Sequence, residues 1–204
     1  VVAIVQARMG SIRFPKKVMK LINSVPVIEL LLSRLSKSKE IDQIVLATSV
    51  DPRNHPLINH VRRLGFACEK GSEDNVLDRY VQVAKKHEAD VVVRITGDCP
   101  LIDPQLVDEL VLRFKERNFD YLSNTCPPTF PNGLDIEVFT SAALNIALLE
   151  SEDSFDKEHV TPYIYQSGKF YTYCLRNNED LSYMRWTLDD PEDLEVIANV
   201  FNHF

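Results

Sequence analysis

Short apolar runs rich in β-branched residues alternate along this chain with stretches of helical periodicity. Three of these runs, Val2–Gln6, Gln43–Thr48 and Val91–Ile95, are typical of strands that are buried on both faces of a sheet. Between them lie a strongly apolar helical segment, Val27–Ser36, and an apolar stripe at helical spacing from Val76 to Ala84. This alternation predicts an α/β fold with a mostly parallel, Rossmann-like sheet and helices on both faces.

An aspartate followed by proline predicts the start of each of two further helices. Asp103-Pro104 is typical of an N-cap residue followed by proline at the first helical position, and Asp190-Pro191 repeats the pattern. We interpret Asp190 as an N-cap. That interpretation leaves the neighbouring Asp189 without a structural role.

The middle of the chain departs from the alternation. Asp120–Asn124, Leu134–Phe139 and Lys169–Leu175 are predicted strands, and three prolines lie between the first two. An insertion of this kind typically forms a small antiparallel edge or a flap over the site. Because no linker or repeat divides the chain, we predict a single domain over residues 1–204, with the insertion at about 120–175.

The charges of the chain are unevenly distributed. The net charge is −7, yet residues 1–28 contain five cations and no acid, so the rest of the chain carries −12 (−7 minus 5). A local cluster of cations on an acidic protein suits a small anion rather than a long polyanion. Nucleic acid is therefore not an expected partner.

Neither a membrane segment nor a disulfide framework is expected. No apolar run approaches the roughly 20 residues that are needed to span a bilayer, and Val1–Val5 is too short for a signal peptide. The four cysteines lie far apart without a CxxC pair, which argues against a zinc knuckle and fits a reducing compartment. We expect a cytoplasmic protein without a membrane partner.

The loop after the first strand, residues 6–17, lies where ligands bind in open α/β sheets. Gly10 allows the backbone to approach a phosphate closely, and Ser11 offers a hydroxyl and an N–H group. The cations that could neutralise a triphosphate are Arg8, Arg13 and Lys17. The loop matches neither a Walker A motif nor a GxGxxG fingerprint, and a solvated basic loop is the alternative reading of its chemistry.

Asp98 is the corresponding candidate after a later strand. It follows Val91–Ile95 through Thr96-Gly97 and so projects from the carboxyl end of a central strand. A turn residue ahead of Cys99-Pro100 is the structural alternative.

Several blocks of this chain resemble the sugar-activating cytidylyltransferases that make CMP-Kdo and CMP-sialic acid, and above all their SpsF-type branch in spore coat polysaccharide biosynthesis. ArgxxSerxArgxProxLys at residues 8–17 is similar to the signature of that family. The other blocks, in the same order along the whole chain, are Gly71–Asp74, Arg94–Pro100, Gly133–Phe139, Glu158–Tyr163 and Arg185–Asp189. Lys16 and Asn132 depart from the usual glycine and aspartate of the family.

The resemblance implies a GT-A-like nucleotidyltransferase fold and transfer of CMP from CTP to a small sugar, often an acidic keto sugar in relatives, with release of pyrophosphate. The catalytic residues that it implies are Arg8, Arg13, Lys17 and Asp98. It further implies that Asp98 and Asp189 bind Mg²⁺, an ion that favours one or two carboxylates plus phosphate oxygens. Relatives dimerise through the region that matches 120–175, so a homodimer is expected.

Two subsites complete the sequence-based hypothesis. Cytosine can be read by a few backbone and hydroxyl groups, for which the Gln6 and Ala7 backbone, Ser72 and Thr96 are candidates. The full set of candidates for nucleotide binding is Gln6, Ala7, Arg8, Gly10, Ser11, Arg13, Lys17, Ser72 and Thr96. The candidates for sugar binding are Asp135, Glu137, His159 and Arg185. Asp135 and Glu137 would share one face if Leu134–Phe139 is a strand, and a wet sheet face is the alternative explanation. Arg185 could bind the carboxylate of an acidic sugar.

Three other functions remain open at this stage. One is a different sugar nucleotidyltransferase, and another is a GT-A glycosyltransferase. The latter usually carries an Asp-x-Asp motif after its central strand, whereas this chain has Gly97-Asp98-Cys99. The third is a nucleotide-binding scaffold without turnover that serves polysaccharide assembly.

Overall fold

Seven strands form the main sheet of the computed structural model, which describes residues 1–203; Phe204, the last residue of the predicted domain, lies outside the described residues. Across the sheet the order is β5 (Ala67–Gly71), β4 (Gln43–Ser49), β1 (Val2–Gln6), β6 (Val91–Thr96), β8 (Glu137–Thr140), β7 (Tyr121–Ser123) and β9 (Thr172–Cys174). A separate antiparallel pair consists of β2 (Leu21–Ile22) and β3 (Val25–Pro26). The α-helices are α1 (Val27–Leu35), α2 (His55–Arg63), α3 (Val76–Lys86), α4 (Pro104–Arg117), α5 (Ser141–Glu150), α6 (Ser154–His159), α7 (Pro162–Gln166) and α8 (Pro191–His203).

The first strand lies inside the parallel half of the sheet and is covered on both faces. β1 pairs in parallel with β4 and β6, and β4 pairs in parallel with β5. Ala3 and Val5 pack into one core with residues of α1, α2 and α4, whereas Val2 and Ile4 pack into a second core with residues of α3 and α5. Burial on both faces is the reason that the strand reads as a continuous apolar run, and the predicted α/β fold is confirmed.

The region from residue 120 to 175 is more helical than the sequence suggests. β8 runs antiparallel to both of its neighbours, as expected, but β9 is parallel to β7, and three helices lie between β8 and β9. The strand predicted at Leu134–Phe139 begins only at Glu137. Gly133 explains the late start: its φ is +110°, and a Cβ there would lie 2.5 Å from the Trp186 backbone, so the chain turns tightly against residues 185–187 before β8 can begin.

One of the two predicted N-caps is confirmed and the other is wrong. Asp103 accepts a hydrogen bond from the N–H of Gln105 at 2.9 Å, and Pro104 opens α4. At α8 the capping carboxylate is that of Asp193, which accepts the N–H groups of Asp189 and Asp190 at 2.8 Å each. The Asp190 carboxylate instead accepts from Arg185, because an acid within the first turn already satisfies the backbone at this helix end.

Within residues 1–203, no helix combines the length and the apolar character that crossing a membrane requires. The four cysteines are free thiols; Cys68 and Cys99 are buried, Cys126 is exposed and Cys174 is half-buried.

Candidate active site

An open cavity of about 830 Å³ lies beyond the carboxyl ends of β1 and β6. From β1 the chain proceeds to β4 and β5 on one side and then crosses to β6 on the other, so the cavity occupies the point where the strand order reverses. Open α/β sheets bind their ligands at such points. Predicted residues that line the cavity are Gln6, Ala7, Arg8, Ser11, Arg13, Lys17, Thr96, Asp98 and Asp189.

Lys17 lies at the centre of the cavity between two carboxylates. Its Nζ atom is 2.8 Å from Asp98 Oδ2 and 2.9 Å from Asp189 Oδ1. Burial alone would lower the pKa of Lys17, but the two carboxylates outweigh burial and hold that pKa above its ordinary value. Burial likewise disfavours a charged Asp98, and the Lys17 ammonium outweighs it, so the pKa of Asp98 is lowered. The structure thus brings two distant aspartates to one cationic atom.

The two arginines of the loop also pair with acids of the cavity. Arg8 Nη1 is 2.7 Å from Glu73 Oε1, and Arg13 Nη2 is 2.9 Å from Asp189 Oδ1. The side chain of Arg13 is 61% exposed, so its pairing with Asp189 contributes little to stability and leaves it free to exchange partners. An anion that enters the cavity meets cations whose present partners are exchangeable.

The loop owes its shape to a few local hydrogen bonds. The Asn54 side chain accepts the N–H of Met9 at 2.8 Å, and the Ser11 hydroxyl accepts the N–H of Phe14 at 3.3 Å. Lys16 has a φ of 60°, in the left-handed region that favours glycine. This conformation gives a physical reason for the glycine that the resembling family usually has here, and Lys16 adopts it nonetheless.

A second close approach brings β1 against the turn after β6. The N–H of Gly97 donates to the carbonyl of Gln6 at 2.8 Å. A Cβ at Gly97 would lie 2.6 Å from the Cβ of Ala7, so a side chain at position 97 would push the Asp98 turn away from the loop. Glycine at this position therefore sets the spacing between Asp98 and the basic loop.

Two predicted nucleotide contacts lie away from the cavity wall. Gly10 packs near the Arg53 side chain on the other side of the loop. The Ser72 hydroxyl accepts the N–H of Asn75 at 3.0 Å and so shapes the turn that precedes α3. Their roles in nucleotide binding remain predictions.

Asp135 and Glu137 do not form the shared strand face that the sequence suggested, because only Glu137 belongs to β8. Glu137 is 6% exposed and accepts hydrogen bonds from Tyr121 at 2.7 Å and Thr161 at 2.5 Å, besides its ion pair with Arg94. Its hydrogen-bonding capacity is thus directed to the protein interior. Asp135 is half-buried; burial, with smaller contributions from the charges of Glu137 and Asp98, raises its pKa to about 6.

The other two sugar candidates also lie outside the cavity wall. His159 is exposed at the end of α6, with its ring centroid 4.3 Å from that of Phe155. Arg185 donates to Asp193 at 2.7 and 2.8 Å and to Asp190 at 3.0 Å. Arg185 therefore holds the start of α8 together, which fixes the segment that carries Asp189.

Sequence reasoning missed five residues with polar or charged side chains that line the cavity, namely Glu73, Asp74, Arg79, Ser154 and Glu158. Glu73, Asp74 and Glu158 lie inside the blocks that resemble the cytidylyltransferase family. Their acidic side chains, as possible partners for the basic loop, were the sequence feature that could have indicated them. The sequence did not indicate Arg79 as a site residue, because a single arginine within a helical segment is ordinarily exposed to solvent.

A mostly parallel sheet with a basic loop after its first strand, and with two carboxylates around a cation at the switch point, is an arrangement that suits a nucleotidyltransferase. The model of the cytidylyltransferase family matches residues 2–198, and the chain belongs to that family. It is accordingly a CTP-dependent nucleotidyltransferase.

Three known proteins illustrate the similarity. The spore coat polysaccharide biosynthesis protein SpsF of Bacillus subtilis is 32% identical over 206 residues, which cover 97% of this chain and 85% of that protein. The structure of a cytidylyltransferase from Leptospira borgpetersenii superposes with a TM-score of 0.96 at 31% identity, over 100% of this chain and 87% of that one. A CMP-2-keto-3-deoxy-manno-octonic acid synthetase complexed with CTP has the same fold, with a TM-score of 0.75 at 19% identity over 99% and 98% of the two chains.

Proposed function

We propose that this protein transfers the cytidylyl group of CTP to an acidic or keto sugar, with release of pyrophosphate, in the cytosolic part of surface or spore-coat polysaccharide synthesis. The observation that carries the proposal is the placement of Lys17 between Asp98 and Asp189 in a cavity that the basic loop also lines. The similarity to SpsF, whose name refers to spore coat polysaccharide, supports the choice of a sugar as acceptor.

In the proposed reaction the anomeric hydroxyl of the sugar attacks the α-phosphorus of CTP in line. A new oxygen–phosphorus bond forms as the bond to the pyrophosphate oxygen breaks, and the hydroxyl proton passes to solvent water. Arg8, Arg13 and Lys17 hold the β- and γ-phosphates as charge moves onto the leaving group. These residues can do so because each lies on the cavity wall, where its side chain carries positive charge toward a bound triphosphate.

The pair Asp98 and Asp189 fits Mg²⁺, which supplies positive charge at the phosphates when it is bound. The two carboxylates already converge on one cation, at 2.8 and 2.9 Å from Lys17 Nζ. Among residues 1–203 there is no group of three or more His, Cys, Asp or Glu side chains that could hold a metal by themselves. A site of only two carboxylates suits an ion that takes its other ligands from phosphate and water.

Pyrophosphate release tests the function. We expect release from CTP with at least one member of a panel of keto, acidic and neutral sugars, and little release from ATP, GTP or UTP. Equal rates with another nucleoside triphosphate would indicate a different sugar nucleotidyltransferase. CTP binding without turnover of any sugar would instead favour the non-catalytic scaffold.

We also propose a homodimer that forms through residues 120–175. β9 is the edge strand of the sheet; its Tyr173 is 44% exposed, and Tyr171, the residue before the strand, is 56% exposed. Both rings contact Phe119, with centroid distances of 4.7 and 5.3 Å, so they form an aromatic patch on an unprotected edge.

Sedimentation velocity at micromolar concentration is expected to show a dimer. Tyr173→Asp should shift the monomer–dimer equilibrium toward the monomer, because dimerisation would bury the new charge at the β9 edge of the sheet. Tyr183→Asp is the control, because Tyr183 is exposed but lies outside this region. A wild-type monomer would contradict the proposal.

A further inference from the structure

Arg79 is a buried cation on the cavity wall whose donors are only partly used. It is 2% exposed, and its guanidinium forms no ion pair with any of residues 1–203. Its Nη1 atom donates to the carbonyl of Ser72 at 3.1 Å, while its buried Nε has no partner in the part of the chain that the structure describes. Burial of an incompletely satisfied charged group is costly, so its presence here requires an explanation.

The fold holds this side chain in place. Asn75 caps α3 by accepting the N–H of Asp78 at 2.9 Å, which sets Arg79 in the first turns of the helix. Gly71, at the end of β5, lies directly against the arginine stem, and a Cβ there would be 2.9 Å from Arg79 Cγ. The guanidinium is therefore positioned before any ligand arrives.

Gln6 is a second cavity residue with unused hydrogen-bonding groups. It ends β1, lines the same cavity, and its buried Oε1 has no partner among residues 1–203. A side-chain amide offers both an acceptor and donors, whereas a guanidinium offers donors only. Together the two residues present one acceptor and several donors to a ligand.

We propose that Arg79 reads the cytosine ring and is the residue that discriminates CTP from UTP. Resting on the proposed function, this assigns the guanidinium donors to the N3 and O2 acceptors of cytosine and Gln6 Oε1 to its exocyclic amine. Uracil keeps O2 but carries a hydrogen on N3, so a donor would face a donor. Gln6 can turn its amide to suit the uracil carbonyl, but Arg79 has no acceptor to offer.

The test compares the binding of CTP, UTP and the triphosphate of 2-pyrimidinone riboside by calorimetry. The pyrimidinone keeps the N3 and O2 acceptors but lacks the amine. In Arg79→Met we expect the affinities for CTP and for the pyrimidinone triphosphate to fall about 10- to 100-fold, which is the usual size of a charge-assisted hydrogen bond. The affinity for UTP should change much less, so the preference for CTP over UTP collapses.

Arg34→Met is the matched control. Arg34 is also partly buried and donates to one backbone carbonyl, that of Ile102 at 2.9 Å, but it lies outside the cavity. The Arg34→Met variant should prefer CTP over UTP to the same extent as the wild type. Arg79→Lys provides a second test variant if Arg79→Met is poorly folded, because it keeps the charge and loses the paired donors.

Two results would overturn the inference. An unchanged preference for CTP in folded Arg79 variants would remove Arg79 from base recognition. An equal loss of affinity for CTP, UTP and the pyrimidinone triphosphate would place the guanidinium at the phosphates instead. Failure of the wild type to bind CTP at all would contradict the proposed function itself, and is thereby distinguished from both.

Discussion

Asp98→Asn is expected to reduce CTP turnover on the order of a hundredfold or more while the protein remains folded. Asparagine keeps the size of the side chain and one acceptor oxygen for Lys17, which still has Asp189 as a partner. It removes the negative charge that, in the proposed mechanism, holds a divalent cation beside the phosphates. Asp189→Asn should have the same effect, since its carboxylate lies at the same distance from Lys17 within 0.1 Å (2.9 against 2.8 Å).

The measurement is pyrophosphate release at saturating Mg²⁺, with thermal unfolding as the check on folding. Asp180→Asn is a suitable control, because the Asp180 carboxylate accepts hydrogen bonds from Ser182 and lies outside the cavity. Near-normal turnover in both site variants would remove the metal site and the mechanism built on it. Because Lys17 occupies the point where the two carboxylates converge, binding of Mn²⁺ by the free protein should also be weak until nucleotide draws the lysine toward phosphate.

Arg94→Met is expected to lower the free energy of unfolding by about 3–5 kcal/mol, as is usual when one partner of a buried ion pair is removed. Arg94 lies on β6 and pairs with Glu137 on the neighbouring β8, directly across the ladder. Burial alone would lower the pKa of Arg94, but the Glu137 carboxylate outweighs burial and holds that pKa above its ordinary value. Methionine would leave the buried Glu137 carboxylate without its cation, while the hydroxyls of Tyr121 and Thr161 would still donate to it.

Urea unfolding measures this effect. The double variant Arg94→Met with Glu137→Leu should recover much of the loss, because it removes the second charge as well. Arg113→Met is the matched control: Arg113 pairs with Glu109 on the surface of α4, and its loss should cost no more than about 1 kcal/mol. A similar small loss for Arg94→Met would show that the buried pair does not organise the antiparallel half of the sheet.

Local sequence patterns predicted three of the four strands in the parallel half of the sheet; β5 (Ala67–Gly71) was not predicted. The runs at Val2–Gln6, Gln43–Thr48 and Val91–Ile95 predict β1, β4 and β6 to within one residue, because a strand buried on both faces must be apolar throughout. Lys17 and Asp98 could be assigned to one site because they follow two strands whose carboxyl ends meet. Both inferences depend on short stretches of chain.

The remaining features depend on long-range geometry that the sequence does not display. Glu137 was assigned to a sugar site, but its environment is set by the register that places it opposite Arg94. The role of Asp193 at α8 was missed, because Asp190 fitted the local capping pattern equally well. Arg79 was missed because its burial results from the approach of Gly71 in another element.

The contact between Lys17 and Asp189 spans 172 residues of chain, and Asp189 is held by the first turn of α8. Strands β1, β4, β5 and β6, which precede α8 in the chain, pair with one another and not with that helix. During synthesis, we therefore expect the strands around the cavity to pair before Asp189 is in place. Packing of α8 against the rest of the protein then brings the Asp189 carboxylate to Lys17. Fraying of α8 would remove Asp189 from the site while the sheet stays intact. On warming, we therefore expect catalytic activity to be lost before the sheet unfolds.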